Sequence, residues 1–255
     1  MFGAIINLDD YLAELNANAA QIAALTLEAG ASAAVTTCPG WAIRDLVRHT
    51  GEVHRWATAI VRDGVSNPAK ELPADYLGAL PNDDDLIDWF TSGANALATT
   101  LRHADPTAFY FTFLANPPSP LLFWARRQAL ETAMHRIDAE SALGRNTGLS
   151  SELAADGIDE LLTGFAPRKH TPLRSESPVV LHIAPTDSVA AWRITISDQP
   201  VVAMRTGGEA DCSASGLSSD LYQTLWNRQG TEKLTIEGDP TVLELFRDNV
   251  KIRWS

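Results

Sequence analysis

Glu131 and His135 stand four residues apart, and at about 100° per residue a helix brings both side chains to nearly one line of its surface. A carboxylate and an imidazole placed this way can grip one cation, or can simply hydrogen-bond each other, and the spacing alone leaves both readings open. The pair lies roughly 110° around the helix from the apolar stripe of Phe123, Leu130, Met134 and Ile137, still inside a bundle that packs on two sides. A third donor has to come from another helix. His49 and His54 both fall on the segment Ile43 to Asp63, flanking its apolar stripe at about 60° and about 80°, so periodicity does not choose between them. Two histidines and one carboxylate would leave positions for water or substrate, the pattern of a catalytic rather than a structural zinc.

Composition narrows the chemistry further. The chain has 255 residues and a formal charge of −12, which argues against a surface that tracks nucleic-acid phosphates. With two cysteines, Cys38 and Cys212, it has neither a disulfide framework nor a Cys-x-x-Cys motif, so a metal must use histidine and carboxylate. Cys38 reads as a small residue of a turn rather than a reactive thiol. No apolar run approaches the ~18 residues of a membrane span, and Asp9 and Asp10 stand where a signal peptide would be apolar, so a cytoplasmic protein without a membrane partner is expected.

The elements that would position the donors are mostly helices. Leu8 to Glu28, Ile43 to Asp63, a segment from Asn82–Asp85 to Arg102, and Pro120 to Gly144 carry helical periodicity, with Ser119 as a cap and Pro120 at a first helical position. Ser150 to Phe165 reads as a shorter fifth helix. After a Pro, Arg and Ser-rich stretch at 167–178, short alternating segments take over: strands at 179–183, 189–196, 201–205 and 233–236, and helices at 218–228 and 240–246. These signals predict a helical domain over 1–166 and a small α+β domain over 175–255.

Several blocks resemble the mycothiol-dependent maleylpyruvate isomerase family: Thr37-Cys38-Pro39-Gly40-Trp41 through His49 to Trp56, Trp124-Ala125-Arg126-Arg127, Glu131 through His135 to Glu140, and Asp156-Gly157-Ile158-Asp159-Glu160. Asp220 to Arg228 is similar to the family's C-terminal stretch, although Asn227, like Glu52, stands where many relatives have glycine. The resemblance implies a DinB-like four-helix bundle followed by a small domain like sterol carrier proteins. It also implies a zinc held by His49, Glu131 and His135, which selects His49 over His54. Arg228, as the family's C-terminal-domain arginine, would hold a substrate carboxylate.

The resemblance further implies an enzyme that takes mycothiol as a thiol cosubstrate and a small carboxylated or electrophilic substrate. Its thiolate would add to a cis double bond, allow rotation and leave again, a cis–trans isomerisation. Two alternatives use the same residues differently. In one, the thiolate stays on the electrophile and the protein is a mycothiol S-transferase of detoxification. In the other, it is a non-enzymatic metal- or ligand-binding scaffold.

Overall fold

A computed structural model describes residues 6–72, 76–114, 117 and 119–252. The outermost residues of the two expected domains, 1–5 and 253–255, lie outside the described residues. The chain divides into two compact units, which meet in sequence between Thr147 and Gly148.

The first unit is helical. Helix α1 (Leu8–Ala29) opens with a capping box, in which Asn7 accepts from the backbone of Asp9 and Asp10 and Asp10 accepts from the Asn7 N–H. Helix α2 (Ile43–Asp63) ends at Gly64, whose φ of 63° gives the left-handed turn that glycine adopts without strain. A single turn, α3 (Pro68–Glu71), precedes α4 (Leu86–His103). The carboxylates expected at the start of α4 instead form the turn before it, because Asn82 Oδ1 accepts from the N–H groups of Asp84 and Asp85. Helix α5 (Pro120–Ser141) starts as its sequence predicts, with Ser119 Oγ accepting from Leu122 N at 3.1 Å. Its last turn stops short of Gly144, which follows in the left-handed region.

Helices α1, α5, α2 and α4 pack in a ring, a four-helix bundle. Almost all of α5 is buried, including Arg127, Gln128, Glu131, His135, Arg136, Asp138 and Glu140. A helix with charged groups on its buried faces must pair them, and Arg136 shows how: it donates to Asn18 on α1, to Glu140 and to Thr147.

The second unit begins with α6 (Ser151–Asp159), which runs into a π-helical turn, Glu160–Phe165. Its five strands are β1 (Val179–Pro185), β2 (Trp192–Ile196), β3 (Val202–Met204), β4 (Cys212–Gly216) and β5 (Thr235–Gly238), and they form a sheet in the order β3-β2-β1-β4-β5. The central pair β1 and β4 is parallel, with Leu181 opposite Cys212, and the other pairs are antiparallel. Alternation buries Leu181, Ile183, Trp192, Ile194, Ile196, Cys212 and Ala214, and α7 (Ser218–Leu225) and α8 (Thr241–Asn249) pack on β1 and β4.

The boundary expected at 167–178 lies inside this second unit. The reason is side-chain bonding: α6 packs on α7, and Asp159 accepts from Trp192 Nε1 at 2.9 Å and from two nitrogens of Arg205 at 2.6 and 2.8 Å. A change in periodicity marks where helices give way to strands, but α6 packs with the strands that follow it.

Candidate metal centre

His49 lies on α2, Glu131 and His135 on α5, and their ligand atoms all fall within 4.8 Å of one another. Glu131 Oε1 is the hub, 3.1 Å from His135 Nε2 and 3.6 Å from His49 Nε2. The imidazoles of His49 and His135 meet edge to face at 86°, with ring centroids 5.1 Å apart, so both present Nε2 to the same carboxylate oxygen. His49 has a side chain 20% exposed against 8% for His135 and 6% for Glu131, which makes it the open side of the group.

His54 is placed differently. It is fully buried, against Phe90, and its Nε2 lies 2.9 Å from Thr132 Oγ1. The Thr132 hydroxyl donates to the Gln128 carbonyl, so it accepts from His54, and the imidazole is the neutral tautomer with its proton on Nε2. Burial pushes the pKa of His54 down to about 3. This histidine belongs to the core, as does nearby Gly51, where a β-carbon would collide with the ring of Trp89.

The converging trio is held from behind. His135 Nδ1 lies 3.0 Å from Asp138 Oδ2, one turn along α5, and Asp138 Oδ1 accepts from Thr37 Oγ1 at 2.6 Å. The other Glu131 oxygen accepts from Arg127 at 3.0 Å, so Oε1 is left for the two histidines. Trp41 packs beside His49 on another side, its ring centroid 5.2 Å away and its plane at 64°. The turn between α1 and α2 puts Thr37 and Trp41 there, pinned by Val35 N to Trp41 O and Ile43 N to Ala33 O.

Electrostatics follow from these contacts. Burial works against charge on Glu131, yet hydrogen bonds from His135 and His49 and the Arg127 guanidinium hold its carboxyl well below the usual range. Burial likewise opposes charge on His135, but Asp138 and Glu131 outweigh it and lift the group to about 9. With Asp138 engaging Nδ1, a bare Nε2 would set its lone pair against Oε1. Something positive must lie between those atoms, either a proton or a metal ion. Two imidazole nitrogens and a carboxylate oxygen, with a carboxylate behind one imidazole, are donors suited to zinc, so the residues fit such an ion.

Asp138 and Arg127 are the members of this site that the expected residue set omits. Both sit inside the sequence blocks already singled out, and their spacing carries a signal: an acid three residues after His135 and a base four residues before Glu131. Arg228 is part of the second unit. It follows α7, is half-buried, and its Nη1 donates to the Trp226 carbonyl at 3.2 Å. Asn227, just before it, has a φ of 58°, the single positive value among described non-glycine residues, and its side chain donates to the Arg247 carbonyl. Asparagine here fills a left-handed position that suits glycine.

The family model described as "Mycothiol maleylpyruvate isomerase N-terminal domain" matches residues 11–140, and the one described as "MDMPI C-terminal domain" matches residues 152–245. Among solved structures, a crystal structure of the mycothiol-dependent maleylpyruvate isomerase is 13% identical, covers 91% of this chain and 93% of its own, and superposes with a TM-score of 0.61. A mutant of that enzyme gives 0.62 at the same identity and coverage. At that identity the likeness speaks to fold. UbiJ-SCP2, a ubiquinone synthesis protein, is 22% identical and covers 40% of this chain and 92% of its own, with a TM-score of 0.30. No curated protein matches the chain.

Proposed function

The chain belongs to the mycothiol maleylpyruvate isomerase family, and from that premise we propose that it is a zinc-dependent enzyme that uses mycothiol to turn a cis double bond to trans. The observation that carries this reading is the convergence of His49, Glu131 and His135 on one point, with Asp138 and Arg127 already holding the atoms that a metal would not touch. Zinc bound there would keep a thiol sulfur as thiolate at neutral pH.

The chain's own residues have distinct parts in this scheme. Asp138 fixes the His135 ring and keeps the Nδ1 proton, so that Nε2 is the donor. Arg127 occupies one oxygen of Glu131 and restricts it to a single donor atom. Two carboxylates against one guanidinium leave the group one negative charge, so a divalent ion brings it to a single positive charge, matched by one thiolate. His49, the most open donor, marks the side from which small molecules enter.

In the proposed reaction, a thiolate held there would add to one alkene carbon, with the π pair moving into the adjacent carbonyl as an enolate. The former double bond would then turn, and the enolate pair would re-form it as the thiolate leaves, so that the cosubstrate is regenerated and no atom is lost. Arg228 is proposed as the cation for the substrate carboxylate, since a guanidinium offers a two-point fork. Neither Cys38 nor Cys212 has a role.

The test is elemental analysis of protein purified without chelator, together with an assay of maleylpyruvate in the presence and absence of mycothiol. About one zinc per chain and thiol-dependent formation of fumarylpyruvate are expected. Metal-free native protein, or turnover at full rate without thiol, overturns the reading.

A further inference from the structure

The faces of α2 and α5 that carry the donors continue past them. Trp56 stands seven residues beyond His49 and Trp124 seven before Glu131, each within about 20° of the same line and about 10 Å further along its helix. The two indoles meet edge to face at 5.2 Å, so the helices run antiparallel and bring both rings to one place. Phe113 stacks on Trp56 at 6.0 Å and 27°, and Phe123 meets Phe113 at 4.9 Å. Trp124 and Phe123 are buried, whereas Trp56 and Phe113 are half-buried and keep part of their surface exposed.

One helical turn separates this wall from the donors, and it carries Glu52 and Val53 on α2 and Arg127 on α5. Arg127 is already bonded to Glu131. Glu52 is half-buried, and after burial itself its charge is what pushes the Tyr76 hydroxyl upward. The strip that leads away from the donors therefore has Glu52 beside its middle, about 60° around α2 from the His49–Trp56 line, and aromatic rings at its far end. A second anionic group on a substrate would meet Glu52 there, while an apolar ring would bury surface against Trp56 and Phe113.

We propose that this strip is a specificity subsite for the body of the substrate, and that among the cis acids the site turns over it favours those carrying an apolar aromatic group over small aliphatic ones such as maleylpyruvate. The proposal rests on the thiol-using reading above and names its substrate class.

Three cis compounds with one reactive double bond test it in the presence of mycothiol: maleamate, N-phenylmaleamate and N-(4-carboxyphenyl)maleamate. The N-phenyl compound is expected to exceed maleamate by about tenfold in kcat/KM, chiefly through KM, as partial burial of a phenyl ring gives. The carboxyphenyl compound should lose most of that gain, and Glu52→Gln should restore part of it. Trp56→Ala should collapse the ratio of N-phenylmaleamate to maleamate at native zinc content, and Trp56→Phe should recover it. Equal kcat/KM for the first two compounds in the native protein, or a ratio that survives Trp56→Ala, overturns the subsite.

A binding measurement separates this failure from failure of the catalytic reading. Calorimetry of the native protein with N-phenylsuccinamate and succinamate, which lack the double bond, needs no turnover. Tighter binding of the phenyl compound, lost in Trp56→Ala, supports the subsite even if mycothiol promotes no reaction, and equal binding overturns it.

Discussion

The two units make their chemistry legible in opposite degrees. In the first, the donors that meet in space are largely neighbours on a helix: Glu131 and His135 are one turn apart, and Arg127 and Asp138 extend the same row. In the second, the residues that meet are far apart in sequence, as when Asp159 takes the indole of Trp192 and the guanidinium of Arg205. A helix writes a site into a fixed spacing, whereas a sheet assembled from distant strands writes it only into the fold.

The contrast can be broken, and the strongest blow is His135→Ala. It removes one of three donors from the first unit and is expected to abolish zinc retention after gel filtration, read by elemental analysis. Full metal in that variant would remove the site from the first unit altogether. Replacing Asp138 with Asn leaves all three donors but loosens the His135 ring, and a loss of about 10- to 100-fold in zinc affinity is expected, measured by competition with a chromophoric chelator. An unchanged affinity would mean that the carboxylate serves only the Thr37 contact.

Arg228→Met probes the second unit. Its zinc content should equal that of the native protein, while kcat/KM for a carboxylated substrate should fall about ten- to a hundredfold, the worth of a bidentate contact to a charged group. Near-native kinetics would reduce Arg228 to a structural residue of the turn after α7.

The smallest expected effect concerns His54. Its folded pKa is depressed by burial to about 3 from an ordinary 6.5, so below pH 6.5 the unfolded chain binds a proton that the folded one refuses. The stability contributed by the neutral ring is thus complete above pH 6.5 and is lost as pH falls towards 3. Urea unfolding of chelated native protein and of chelated His54→Gln, compared over that window, should show a shallower acid slope in the variant. Identical slopes would mean that His54 titrates alike in both states.

Much of the first unit can be read from residue order alone. The limits of α1 and α2 follow from periodicity and their glycine stops, and Ser119 with Pro120 marks the start of α5. Periodicity cannot choose between His49 and His54, because both flank the apolar stripe of α2; the family resemblance points to His49, and in the structure packing on α5 and Phe90 separates the two. Strand β4 also escapes notice. Its sequence, Cys212-Ser213-Ala214-Ser215-Gly216, has neither bulk nor β-branching, yet it lies inside the sheet, between β1 and β5. The π-helical turn at Glu160–Phe165 is hidden for a related reason, since its residues read as ordinary helix and the widened hydrogen bonding arises where β3 packs against it.

The hold of Thr37 on Asp138 also bears on the order of folding. Asp138 fixes His135, and Thr37 lies in the turn between α1 and α2, so the grip on His135 is complete only after that turn has docked on α5. His49 joins the same group only when α2 itself packs on α5. Such distant pairings are expected to close late on the way to the native state, so an ion bound there as proposed would stabilise a geometry that the folding transition state has not yet built. Zinc bound as proposed should therefore act as a lock rather than a nucleus, slowing escape from the folded state while leaving the rate of its formation almost untouched.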